Sequence, residues 1–165
     1  MTVLVAGIGN LFSSDDGFGP EVVRRMGERA DEDVRVVDYG IRGMHLAYDL
    51  LDGYDALVIV DAVPRGEPGE ITVLEVGPDD LCADEFDPHG MNPVAVLASL
   101  ARLGGTLPPT YVVGCRPAST ADGIGLGEAV AAAVPLAVET VYRLLERLMD
   151  RLGRADVTVD VTGEA

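Results

Sequence analysis

The run Ala56-Leu57-Val58-Ile59-Val60 constrains this chain more than any other feature. It is apolar throughout and rich in β-branched residues, so it has no face to give to water. A short run of that kind suits a strand buried on both sides, near the middle of a sheet. Thr2 to Ala6 has the same character and stops at Gly7. Val34 to Val37 reads as a second strand and Thr110 to Val113 as the last core strand. Ile71 to Val76 alternates instead, with Ile71, Val73 and Glu75 on one face, and reads as a half-solvated edge strand.

Helical spacing fills the gaps. One helix is expected to begin between Asp16 and Pro20 and to end near Arg29, with Val22, Val23 and Met26 on one side. Pro20 is acceptable only in a first turn. Met44 to Leu51 carries Met44, Ala47, Leu50 and Leu51 at helical intervals. Pro93 to Leu103 is a third helix, with Val94, Leu97, Ala98 and Ala101 expected to face inward. The last helix runs to about Arg151, with Val134, Val138, Val141, Leu145, Leu148 and Leu152 as its apolar stripe. Pro135 either kinks it or starts its main part. Strands alternating with helices predict a three-layer α/β sandwich, with a mostly parallel sheet of about five strands between helices. Residues 1–152 are expected to form one domain and residues 153–165 a frayed C-terminal tail.

Charge and residue choice then exclude whole chemistries. The 165-residue chain has 28 Asp and Glu against 12 basic residues, for a net charge of −16. Such a surface is unsuited to nucleic-acid phosphates or anionic lipid, so neither a nucleic acid nor a membrane is expected as a partner. Every basic residue is Arg. Without Lys there is no Walker-A lysine, no Schiff-base lysine and no Ser-Lys dyad. Cys82 and Cys115 stand far apart and read as free thiols of a reducing compartment, so a cytoplasmic location is expected. The apolar start MTVLVAGIGN lacks a basic segment and reads as a strand rather than a signal peptide.

In a parallel α/β sheet, ligands bind off the carboxyl ends of the strands. After the first strand come Gly7-Ile8-Gly9-Asn10 and then Ser13, Ser14, Asp15 and Asp16. Asp61 follows the third strand and His89 follows the fourth. Two carboxylates and an imidazole on one rim suit a borderline divalent metal such as zinc or nickel. Each residue also has a purely structural reading. Asp16 would ordinarily be a helix N-cap. Asp61 would bond loop amides, and His89 would orient the turn before Pro93. His45, at a helix start, reads as a surface or packing residue. GIGNLF lacks the third glycine of a dinucleotide fingerprint. No G-x-S-x-G elbow and no HExxH occurs. A receiver domain shares the acidic pattern but needs a lysine that this chain does not have.

The segments VLVAGIGNLFSSDDGFGPEVV, DYGIRGMHLAYDLLDGYDALVIVDAVPRGEPG, HGMNPVAVLASLARLGG and YVVGCRP occur in that order. Together they resemble the hydrogenase maturation endopeptidases from about Val3 to Leu145. The resemblance implies a twisted sheet between helices. It also implies an endopeptidase that removes a C-terminal extension from the precursor of a [NiFe] hydrogenase large subunit. Cleavage would follow nickel insertion, so nickel is expected to arrive with the substrate and no tightly bound cofactor is expected. The family's metal-contacting acids fall on Asp16 and Asp61 and its histidine on His89, which the resemblance makes the catalytic and metal-reading set. Asp38 and Gly40 fall in a second motif connected with substrate recognition. Many members carry Asp-Gly-Gly-Thr where this chain has Asp38-Tyr39-Gly40-Ile41, which suggests a subgroup. A non-proteolytic, nickel-dependent checkpoint or chaperone for the large subunit is the alternative. A small-molecule enzyme that holds a phosphate in the glycine loop is a third reading.

Overall fold

The computed structural model describes residues 2–27, 29–30, 33–77 and 93–160. Its sheet has six strands: β1 (Val3–Ile8), β2 (Arg29–Ala30), β3 (Val34–Gly40), β4 (Ala56–Ala62), β5 (Ile71–Val76) and β6 (Thr110–Cys115). Their order across the sheet is β2-β3-β1-β4-β6-β5. The four inner strands β3, β1, β4 and β6 run parallel. The two-residue β2 and the edge strand β5 pair antiparallel. The mostly parallel sheet is therefore as expected, with the short β2 as an addition.

Four helices cover it: α1 (Phe18–Met26), α2 (Gly43–Leu50), α3 (Pro93–Arg102) and α4 (Glu128–Asp160). The central strands explain the layering. Along β1 and β4, Val3, Val5, Ala56, Val58 and Val60 point into one apolar core with α1 and α4. Leu4, Ala6, Ile8, Leu57 and Ile59 point into a second core with α2 and α3. A strand alternates its side chains between faces, so an all-apolar strand fills two cores at once.

Several boundaries and faces differ from expectation. Helix α1 stops at Met26, where Gly27 turns with φ of 78°, and the chain enters β2 instead of continuing the helix to Arg29. In α3 the larger side chains Leu97 and Leu100 take the core, and Ala101 is exposed. The side chain of Val94 lies outside the described residues. Helix α4 continues to Asp160 rather than ending near Arg151. Its stripe Val134, Val138, Val141, Leu145, Leu148 and Leu152 packs against the first core as the spacing predicts. Pro135 lies within α4, on its exposed side, rather than at its start, and gives the helix no backbone amide to donate. Among the described residues no helix is long and apolar enough to cross a membrane.

Candidate active site

The parallel register places four strand ends on one rim. Gly7 pairs with Asp38 and Val60, Ile8 pairs with Gly40, and Asp61 pairs with Gly114. Chain leaving β1 passes through the loop 9–13 and a 3-10 turn, Ser14–Gly17, before α1 begins. Two glycines let this segment fold back onto the strand ends. Gly9 has φ of 149°, and a Cβ there would lie 1.9 Å from the carbonyl oxygen of Asp16. At Gly19 a Cβ would lie 2.2 Å from the Val60 oxygen and 2.3 Å from the Ile8 oxygen. Only a residue without a side chain allows α1 to start against the ends of β1 and β4.

That close approach brings Asp16 beside Asp61. Oδ2 of Asp16 accepts a hydrogen bond from the Asn10 amide at 2.9 Å. The bond runs back into the glycine loop, and the N-cap position of α1 is Gly17, with no side-chain cap. The N-cap reading of Asp16 therefore fails. Asp61 is buried at the end of β4, and its Oδ1 accepts the Ala62 amide at 2.8 Å. The loop-amide reading of Asp61 is thus met by a single bond. Burial, and then the neighbouring Asp16 carboxylate, push the Asp61 carboxyl well above the usual carboxylate range, against the Ala62 hydrogen bond.

The second motif joins the same rim. Asp38 Oδ1 accepts the Gly40 amide at 2.9 Å, and Gly40 turns with φ of 55°. The Gly40 carbonyl accepts the Gly9 amide at 3.0 Å, so the β3 end is bonded to the glycine loop. Tyr39 is buried behind it and donates from its hydroxyl to Asp49 at 2.6 Å. His89 and Cys82 lie outside the described residues. Among the described residues no three His, Cys, Asp or Glu side chains gather closely enough to hold a metal. Asp16 and Asp61 are the two hard oxygen donors that are brought together.

Asp15 supplies what sequence reasoning missed. Its buried carboxylate accepts three backbone amides: Ala118 at 2.8 Å, Ser119 at 3.0 Å and Gly127 at 2.7 Å. Burial raises its pKa, but the three hydrogen bonds outweigh that and hold the carboxyl below its ordinary value. Adjacent residues thus point opposite ways, Asp16 into the site and Asp15 into the support beneath it. Asp15's partners lie more than 100 residues away in sequence, so no local pattern announces them.

Two other chemistries lose ground on this geometry. Cys115 is buried, which raises its thiol, helped by the Asp15 carboxylate and opposed by the Gly69 amide, to about 11. A thiol held that high is a poor nucleophile at neutral pH. The Asn10 amide that a bound phosphate would need is taken by Asp16, and a phosphate there would meet two carboxylates.

Comparison with known proteins matches this architecture to one family. The family model described as hydrogenase maturation protease matches residues 20–144. The hydrogenase 2 maturation protease of Escherichia coli is 30% identical over 150 residues, covering 88% of this chain and 91% of that protein. A hydrogenase expression/formation protein of Rhodobacter capsulatus is 33% identical over 151 residues, covering 87% of this chain and 70% of that protein. The solved structure of the hydrogenase maturating endopeptidase HybD from E. coli superposes with a TM-score of 0.76 at 29% identity, covering 89% of this chain and 93% of that one. The chain belongs to the hydrogenase maturation protease family.

Proposed function

We propose that this chain is the endopeptidase that removes a C-terminal extension from a nickel-loaded [NiFe] hydrogenase large-subunit precursor, and that Asp16, Asp61 and His89 read the nickel. One observation carries the reading: a buried carboxylate, Asp61, is held beside a second carboxylate, Asp16, at the strand ends. Neither has a cationic partner among the described residues. A buried carboxylate beside a half-buried one is costly unless a cation joins them. Two carboxylate oxygens with an imidazole nitrogen would suit nickel brought by the substrate, on the family assignment of His89. Gly40, bonded to the glycine loop, and Asp38, bonded to Gly40, would border the substrate segment.

Hydrolysis then needs a water, a base and an acid. A carboxylate of the pair takes a proton as water adds to the scissile carbonyl, and that proton passes to the departing amide nitrogen. Nickel in the substrate, seated against the same carboxylates, orients the segment and polarises the carbonyl. Cleavage is thereby conditional on nickel loading. We also propose a cytoplasmic site of action, where the precursor folds before it is processed.

The test is the intact mass of the precursor, nickel-loaded and nickel-free, with and without this protein. Loss of a C-terminal fragment from the loaded form alone is expected. Asp16→Asn, Asp61→Asn and His89→Ala, each folded, are expected to lower the cleavage rate at least a hundredfold. Complex formation without loss of mass would replace the protease with a checkpoint or chaperone. Full activity in all three variants would refute the site.

A further inference from the structure

The loops that border Asp16 and Asp61 expose large apolar side chains. Leu11 is 50% exposed, Phe12 68%, Ile41 60%, Met44 45% and Ile124 81%. They come from three places in the sequence: Leu11, Phe12, Ile41 and Ile124 lie on loops that backbone bonds join, and Met44 lies in the first turn of α2, three residues after Ile41. The Gly123 amide donates to the Phe12 carbonyl at 2.9 Å, and the Ser14 amide donates to Gly123 at 2.9 Å. Gly9 donates to Gly40, so Ile41 adjoins the loop that carries Leu11. Asn10 links this rim to the site: its amide holds Asp16, and its Oδ1 accepts the Phe12 amide at 2.9 Å.

Charge marks the same stretch. Residues 9–13, 40–44 and 123–125 contain one charged side chain, Arg42, with exposed Asp122 adjoining them, in a chain that is 24% charged. Arg42 is bonded back onto the carbonyls of Asp38 and Tyr39. Exposed apolar side chains clustered at one place mark a surface that meets a partner. Their loops are fastened to one another, so little ordering is left to oppose binding.

We infer that Leu11, Phe12, Ile41, Met44 and Ile124 form the docking face for the folded precursor, meeting an apolar surface around its C-terminal segment. This rests on the function proposed above. A protein substrate whose scissile bond reaches Asp61 must cover the rim around it, and this rim offers apolar contact rather than ion pairs. A second copy of this chain is the poorer occupant. Two chains of net charge −16 repel, and a copy seated here would cover the acid pair.

Phe12→Ser and Ile124→Ser, singly and together, test the inference. Both side chains are exposed, so the variants are expected to keep the wild-type Tm. With the wild-type protein cleaving the nickel-loaded precursor, the double variant is expected to raise KM at least tenfold with kcat unchanged. Leu136→Ser, an exposed apolar position on α4, is the control and is expected to leave KM unchanged. Wild-type KM in the double variant overturns the inference and leaves the proposed function standing. So does a wild-type dimer that the double variant abolishes, because the occupant is then a second copy. A wild-type protein that neither cleaves nor binds the precursor overturns the proposed function and this inference together.

Discussion

Asp15 and Asp16 are chemically identical neighbours with opposite duties, and the difference comes from their hydrogen-bond donors. Asp15 meets three amides and is satisfied; Asp16 meets one and keeps capacity for a ligand. Asp61 is the most constrained of the three acids, since burial and Asp16 both oppose its charge. On the function proposed above, activity and stability should therefore separate at this residue. Asp61→Asn keeps the shape and the oxygen that accepts from Ala62, and removes the buried charge. It is expected to raise Tm by roughly 3 °C, because about 1 kcal/mol shifts a domain of this size by ~2–4 °C. Calorimetry at neutral pH checks this, and a lower Tm would show that the Asp61 carboxylate stabilises the fold. The positions of Asp16 and Asp61 after strands were legible in the sequence. The choice between cap and site residue at Asp16 was not, because it depends on where the Asn10 amide points.

At the level of elements, the sequence spoke most clearly where burial is two-sided. The all-apolar β1 and the apolar run 56–60 of β4 sit at the sheet centre, and alternating β5 sits at the edge. Helix α3 was harder to read, because Ala98 and Ala101 share the apolar character of Leu97 and Leu100 without their volume. The junction between the 3-10 turn and α1 was not legible, because its shape is set by carbonyls of β1 and β4 that Gly19 touches. Gly19→Ala tests that contact. Its Cβ would overlap two backbone oxygens, which cannot rotate away, so a loss of about 3 kcal/mol or more is expected. Urea unfolding measures it, and a change below about 1 kcal/mol would mean that α1 shifts freely over the strand ends.

Across the whole molecule, Asp15 ties the first turn after β1 to the segment between β6 and α4. Its carboxyl is held below the ordinary value in the folded protein. The stabilisation is therefore fully present above the unfolded value of about 4, and is lost as pH falls through the lower folded value. Asp15→Asn is expected to cost about 3 kcal/mol at pH 7, since one amide oxygen cannot replace a carboxylate that accepts three amides. The gap between variant and wild type should narrow as pH falls below about 4. Denaturant unfolding at pH 7 and pH 3 decides it, and an equal gap at both would place the effect in packing rather than charge.

The bonds that join residues 10–15 to residues 118–127 also bear on synthesis. Strand β1 is made first and can pair early with β3 and β4, and Gly9 can bond Gly40, yet residues 12, 14 and 15 are also fastened by chain made much later. A nascent polypeptide that has passed Asp61 holds both acids of the pair and lacks the amides that hold the neighbouring Asp15. Until the stretch through Gly127 emerges from the ribosome, Asp15 lacks its three amide partners and the turn that carries Asp16 lacks that support. On the function proposed above, full cleavage activity waits on translation of the later part of the chain.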